Sequence, residues 1–151
     1  MSEHRASLRW ERTSKDFTYD SYNRSHEILF KDGRVRLNAS AAPAFKGDGL
    51  GVDPEEALVA SLSSCHLLTL LAICARKRLV VDSYSDDAEG HLEKGANGKF
   101  WVPRVILRPQ VRFAPGTIVD KVTLEGIHHQ AHEECFIANS VKTDVSVEPR
   151  P

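Results

Sequence analysis

The stretch Asp53 to Leu79, DPEEALVASLSSCHLLTLLAICARKRL, constrains this chain more than any other. Its start is written locally. Asp53 suits an N-cap, Pro54 suits the first helical position, and Glu56 stands three residues after the cap. Arg76, Lys77 and Arg78 close the segment with positive charge that complements a helix C-terminus. Between these ends, Leu, Ala, Ile and Cys side chains cover most of the circumference. A helix apolar nearly all round must be buried on nearly every side. One modest sheet cannot wrap it. Either a second helix and another subunit share the task, or the helix lies inside a larger assembly.

The segments around it read mostly as strands. Ala6, Leu8 and Trp10 alternate with polar neighbours at the period of a half-buried strand. Ile28–Phe30 and Val35–Leu37 flank Asp32-Gly33, a hairpin signal. Pro43, Gly47, Gly49 and Gly51 mark a loop. After the helix, LVVDSYSDDAEGHLEKG is expected to form one strand ending near Gly95–Gly98. KFWVPRVILRPQVRFAPG is expected to form another, demoted toward an edge or bulges by Pro103 and Pro109. A second helix is expected from about Ile118 to His132, and TDVSVEP as a short last strand. Strands, helix, strands, helix and strand in one run indicate an α+β fold with antiparallel sheet rather than repeated βαβ units. The 151 residues fit one domain, 1–151.

Charge excludes one class of function. With 20 basic and 21 acidic residues the chain has no electrostatic footprint for nucleic acid. The first residues, MSEHRASLRWERT, lack the apolar core of a signal peptide. The most apolar run, Ser64 to Ala75, is short for a bilayer and carries His66. A cytoplasmic protein without membrane attachment is expected.

Three cysteines, Cys65, Cys74 and Cys135, are too few and too widely spaced for a disulfide framework or a CxxC motif. Inert thiols, a redox pair made by the fold, and a metal site remain. Cys74 follows Cys65 by nine positions, about half a turn away on a helix, so the two cannot share a site. Cys65 is too deep in its helix for the N-terminal dipole to activate it, so a reactive Cys65 needs a cation from another segment. His128, His129 and His132 stand near Cys135, with His128 and His132 at i,i+4. Together with Cys65 they would suit zinc, against the plainer reading of a solvated helix face.

The two cysteine segments resemble the OsmC/Ohr family of thiol-dependent hydroperoxide reductases. The PE dipeptide opening the helix ten residues before Cys65 is similar to one family motif, and CFIANSVK at Cys135 to the other. SSCH and CFIAN place the chain nearer the general OsmC-like branch. The resemblance covers about Arg5 to Pro149. It implies an OsmC-like fold, with antiparallel sheets wrapped around two central helices in an intertwined homodimer. Cys65 matches the peroxide-attacking thiol, Cys135 the resolving thiol and Glu55 the catalytic glutamate. Arg24 matches the arginine, with Arg34 and Arg36 as weaker candidates, although the loop around Arg24 lacks the glycines usual in Ohr. A guanidinium against the sulfur would stabilise thiolate, and a carboxylate would hold the guanidinium through a bidentate pair. Glu55 lies about 15 Å along a straight helix from Cys65, so Glu55 and Arg24 are expected to serve the Cys65 of a partner chain. The implied chemistry is reduction of organic hydroperoxides in oxidative-stress defence, with an external dithiol, such as a dihydrolipoyl protein, as reductant and with no cofactor or metal. Leu62, Leu68 and Phe136 are expected walls of an apolar pocket. A dimeric, non-catalytic binding protein for an apolar ligand and a Cys/His zinc protein are the alternatives.

Overall fold

Asp53 caps the long helix as its sequence dictates. Its Oδ1 accepts the Glu56 amide at 2.8 Å, and Glu56 Oε2 accepts the Asp53 amide at 3.1 Å. This reciprocal box satisfies N–H groups that a helix start would otherwise leave unpaired. Helix α1 then runs Pro54–Arg76 in the computed structural model, which describes residues 2–151. The chain divides into two compact units, residues 1–57 and 58–151, with the division in the first turn of α1.

The first unit is a three-stranded antiparallel sheet of β1 (Ser7–Arg9), β2 (His26–Phe30) and β3 (Val35–Ala39) in sequence order. The expected hairpin is present, with Phe30 opposite Val35. Its connection needs left-handed backbone at Lys31, Asp32 and Gly33, with φ values of 52°, 56° and 84°, and glycine adopts that conformation without steric cost.

The second unit differs from expectation in its strands. The segment after α1 is not one strand but two, β4 (Val81–Asp86) and β5 (Glu89–Lys94), and the next segment also splits, into β6 (Phe100–Leu107) and β7 (Pro109–Phe113). The strands of each segment lie in different sheets: β4 pairs with β7, and β5 with β6. Asp86 holds the corner, since its Oδ1 accepts the Arg108 amide at 2.6 Å while the Arg108 guanidinium reaches Glu89 at 2.6 Å. Pro109 opens β7, an edge strand, and Pro103 lies at a register break, although β6 is the middle strand between β5 and β8 (Asp144–Val147). A proline fits there because the β5–β6 register breaks between His91 and Glu93, and the parallel β6–β8 ladder begins only at Arg104. No ladder bond is lost to its missing N–H.

Helix α2 spans Lys121–Glu133, starting later than expected because Asp120 caps it, accepting the Thr123 amide at 2.7 Å. Ile118 is left outside the helix, 93% exposed. Two apolar clusters form the core of this unit. Leu62 packs with Val102, Val105, Leu107 and Val145. Leu70, Ile73 and Cys74 of α1 pack with Ile127 and Ala131 of α2. Gly90 permits the close approach of helix and sheet, since a Cβ there would lie 2.6 Å from Val59 Cγ2.

The helix that the sequence presents as apolar all round has two different faces. Leu62, His66, Leu70 and Ile73 form its buried stripe, while Ala60, Ser64, Leu68 and Ala72, on another face, are exposed. At 23 residues α1 is, by length and apolar composition alone, able to reach across a bilayer, longer than the Ser64–Ala75 run suggested. Its polar groups are engaged within the fold, Ser63 donating to Asp86 at 2.5 Å and His66 meeting His128.

Candidate active site

Within residues 58–151, the fold brings Cys65 and Cys135 together. The CFIANS segment does this through its own backbone. Asn139 folds back, its Nδ2 donating to the Glu133 and Cys135 carbonyls at 2.9 and 3.0 Å and its amide donating to the Cys135 carbonyl at 3.0 Å. This turn aims the Ala138 amide at Cys135 Sγ, 3.4 Å away. Cys135 is buried, Cys65 half-buried, and both are free thiols. Burial, followed by a hydrogen bond to the Cys65 side chain, pushes the Cys135 thiol up to about 11, against the opposing pull of the Ala138 amide. Cys135 therefore keeps its proton at neutral pH, and Cys65 is the more accessible sulfur. Cys74 is packing material, its thiol pushed up by burial inside the α1–α2 cluster.

Two histidines missing from the expected site lie between the same two helices. His66 Nε2 is 3.1 Å from His128 Nδ1, the rings are parallel within 1°, and the residues are 1% and 3% exposed. Burial, then the nearby His128 and His132, push His66 down to about 4. Burial also lowers His128, opposed by the charge of Asp86. Both are neutral at pH 7, so one ring nitrogen donates to the other and the outward nitrogens, His66 Nδ1 and His128 Nε2, have no partner. A sequence signal for this pair existed: His66 interrupts the Leu62–Leu70–Ile73 stripe, and a polar group at a core position calls for a polar partner.

Among the described residues, no three His, Cys, Asp or Glu side chains are placed to hold a metal ion. His129 and His132 instead line a cleft of about 390 Å³ with Glu125, His128 and Val147. Leu62 is no pocket wall, being fully buried in the core, whereas Leu68 and Phe136 are 64% and 82% exposed.

Within residues 1–57, Arg24 and Glu55 line one cavity of about 780 Å³ together with Trp10, Phe17, Tyr22 and Phe45. No ion pair joins them within the chain. The guanidinium is held instead by aromatic faces and carbonyls. It lies 3.9 Å from the Tyr22 ring centroid and 5.1 Å from that of Tyr19, and it donates to the Tyr22 and Tyr19 carbonyls at 2.9 and 2.5 Å. Such stacking suits a planar cation. Arg34 donates to the Lys31 carbonyl and Arg36 pairs with Glu27, and neither lines this cavity.

Residues 47–150 match the model of the OsmC-like protein family. The chain belongs to the OsmC-like family. An OsmC-like protein of unknown function from Vibrio cholerae O1 biovar eltor is 46% identical, with a TM-score of 0.93 over 99% of this chain and 100% of that one. The organic hydroperoxide resistance protein OhrB of Bacillus subtilis shares the fold, at 18% identity and a TM-score of 0.72 over 99% of this chain and 98% of that one. A B. subtilis protein, YmaD, is 24% identical over 127 residues, covering 83% of this chain and 84% of its own. Like these structures, the OsmC-like chain here is α+β, with two helices and several sheets.

Proposed function

We propose that this OsmC-like protein is a thiol-dependent peroxidase that reduces organic hydroperoxides to alcohols as a homodimer. The observation that carries the reading is the meeting of Cys65 with a buried, protonated Cys135 seventy residues away, in a family that includes organic hydroperoxide resistance proteins. In this reading the Cys65 thiolate attacks the outer peroxide oxygen, the O–O bond breaks, and the alkoxide leaves and takes a proton. Cys65 becomes a sulfenic acid. Cys135, which does not compete for the peroxide because it holds its proton, then attacks the Cys65 sulfur. The S–O bond breaks, water leaves, and a disulfide forms. An external dithiol, of which a dihydrolipoyl protein is one class, returns both thiols.

Arg24 and Glu55 are assigned to the Cys65 of a second copy, Arg24 to stabilise thiolate and polarise the O–O bond. The exposed Ala60, Ser64, Leu68 and Ala72 stripe supports such an association, since the small Ala60, Ser64 and Ala72 let another helix approach closely while Leu68 is removed from water. The aromatic cavity around Arg24 favours one other reading, a non-catalytic protein holding an apolar ligand.

Thiol titration separates them. One equivalent of cumene hydroperoxide should remove two thiols from the native protein, none from Cys65→Ser, and one from Cys135→Ser as a trapped sulfenic acid. Unchanged thiols in the native protein would end the peroxidase reading.

A further inference from the structure

We propose that the His66–His128 pair is a positioning clamp that holds α2 at the height where Cys135 meets Cys65, and so sets how readily the two sulfurs join. Its meaning for turnover rests on the peroxidase reading, but the clamp itself does not.

The placement is specific. His66 is the residue after Cys65, and His128 lies seven residues before Cys135. Their 3.1 Å contact is a buried polar link between the two cysteine-bearing segments, where the surrounding α1–α2 contacts are apolar. The ion pair between them, Arg76 to Glu134, lies at the surface, where such a pair fixes little. Apolar packing tolerates small slides and rotations of one helix on another. A hydrogen bond between two parallel rings does not, because donor and acceptor must align.

The pair is also costly as packing. One hydrogen bond is made, while His66 Nδ1 and His128 Nε2 are left buried without partners. Two leucines would fill the site without orphaned polar atoms. A polar pair that is poor for stability but exact in direction suits registry. Asp86, itself bound by Ser63 of α1 and the Arg108 amide, presents its charge to His128 from β4 and opposes the effect of burial on that ring.

The equilibrium between the Cys65–Cys135 disulfide and glutathione tests the clamp without any peroxide. Two glutathione thiols reduce the disulfide, the S–S bond breaks, both cysteines gain hydrogen, and oxidised glutathione forms. The equilibrium constant reports how well the two sulfurs are held together. Glutamine can place its amide nitrogen near the position of histidine Nε2, and asparagine its amide oxygen near that of Nδ1, so one donates to the other. The matched variant His66→Gln with His128→Asn should therefore keep the constant within about twofold of native. The mismatched variant, His66→Asn with His128→Gln, and the variant His66→Leu should each move it about tenfold toward the dithiol, roughly 30 mV for this two-electron couple. Ile73→Ala, a core change on α1 two turns away, should lower stability without moving the constant.

Matched and mismatched amides giving the same constant would overturn the clamp, as would an equal shift in Ile73→Ala or a native protein that forms no such disulfide. If His66→Leu fails to fold, the two amide variants decide alone. If hydroperoxide leaves the thiols untouched while these shifts are seen, the peroxidase reading fails and the clamp stands.

Discussion

The Arg24 guanidinium carbon stands 3.9 Å from the centroid of the Tyr22 ring, and the same side chain donates to the Tyr22 carbonyl at 2.9 Å. One residue thus presents both a π face and an acceptor to the cation, and Glu55, across the same cavity, pairs with nothing among the described residues.

Tyr22→Phe keeps the ring and the backbone carbonyl, so its rate of thiol oxidation by cumene hydroperoxide should match the native rate. Tyr22→Ala removes the face, worth about 1 kcal/mol for a partly exposed cation, and the rate should fall roughly fivefold. Stopped-flow oxidation of Cys135→Ser variants isolates this step. An equal rate in Tyr22→Ala would detach Arg24 from the chemistry.

Assigning Arg24 to the Cys65 of a second copy makes a prediction about mixtures. Cys65→Ser and Arg24→Ala should each be nearly inactive alone. Unfolded together and refolded at equal concentrations, half of the dimers are mixed and each holds one intact site, so roughly a quarter of native activity should return. If Arg24 serves the Cys65 of its own chain, mixing restores nothing.

The exposed stripe on α1 predicts the dimer's weak point. Leu68→Glu places a charge where apolar surface is to be buried, a substitution that costs several kcal/mol at an interface with no cation opposite. Sedimentation should then show monomer at concentrations where the native protein is dimeric. A native monomer, or an unaffected Leu68→Glu dimer, would remove the role of this face.

Acid should weaken the fold through His66. The group ionises near 6.5 when unfolded and near 4 when folded, so between those values the unfolded chain binds a proton that the native protein refuses. The contribution is complete above pH 6.5, declines as pH falls toward 4, and amounts to at most on the order of 3 kcal/mol. Asp86 and His132 are the charged groups felt by the pair, the first favouring a proton on His128 and the second opposing one on His66. Urea unfolding at pH 7.5, 6 and 4.5 measures the slope. In the matched His66→Gln with His128→Asn variant the histidine part of that slope should vanish, and an unchanged slope would assign it to other groups.

What the sequence makes legible here is what short-range chemistry decides. Asp53, Pro54 and Glu56 announce the start of α1 because capping is settled within four residues. The Cys135–Asn139 turn is legible for the same reason. The division of β4 from β5 and of β6 from β7 is not, because the chain changes sheets around Asp86 and Arg108, twenty-two residues apart, without a glycine at either point. His66 reads as an interruption in an apolar run until His128, sixty-two residues on, supplies its partner. The aromatic support of Arg24 is equally hidden, since Tyr19 and Tyr22 lie in a loop without periodicity.

Asp86 gives this protein a corner where architecture and charge can be edited separately. Its two oxygens receive a backbone amide, from Arg108, and a hydroxyl, from Ser63. In Asp86→Asn the amide oxygen can still accept from Arg108, while the Ser63 hydroxyl reverses role and accepts from the new NH2. Both bonds survive the exchange, and only the negative charge presented to His128 disappears. Evolution or an engineer can therefore retune the electrostatics beside the histidine pair without disturbing the turn at which the chain changes sheets.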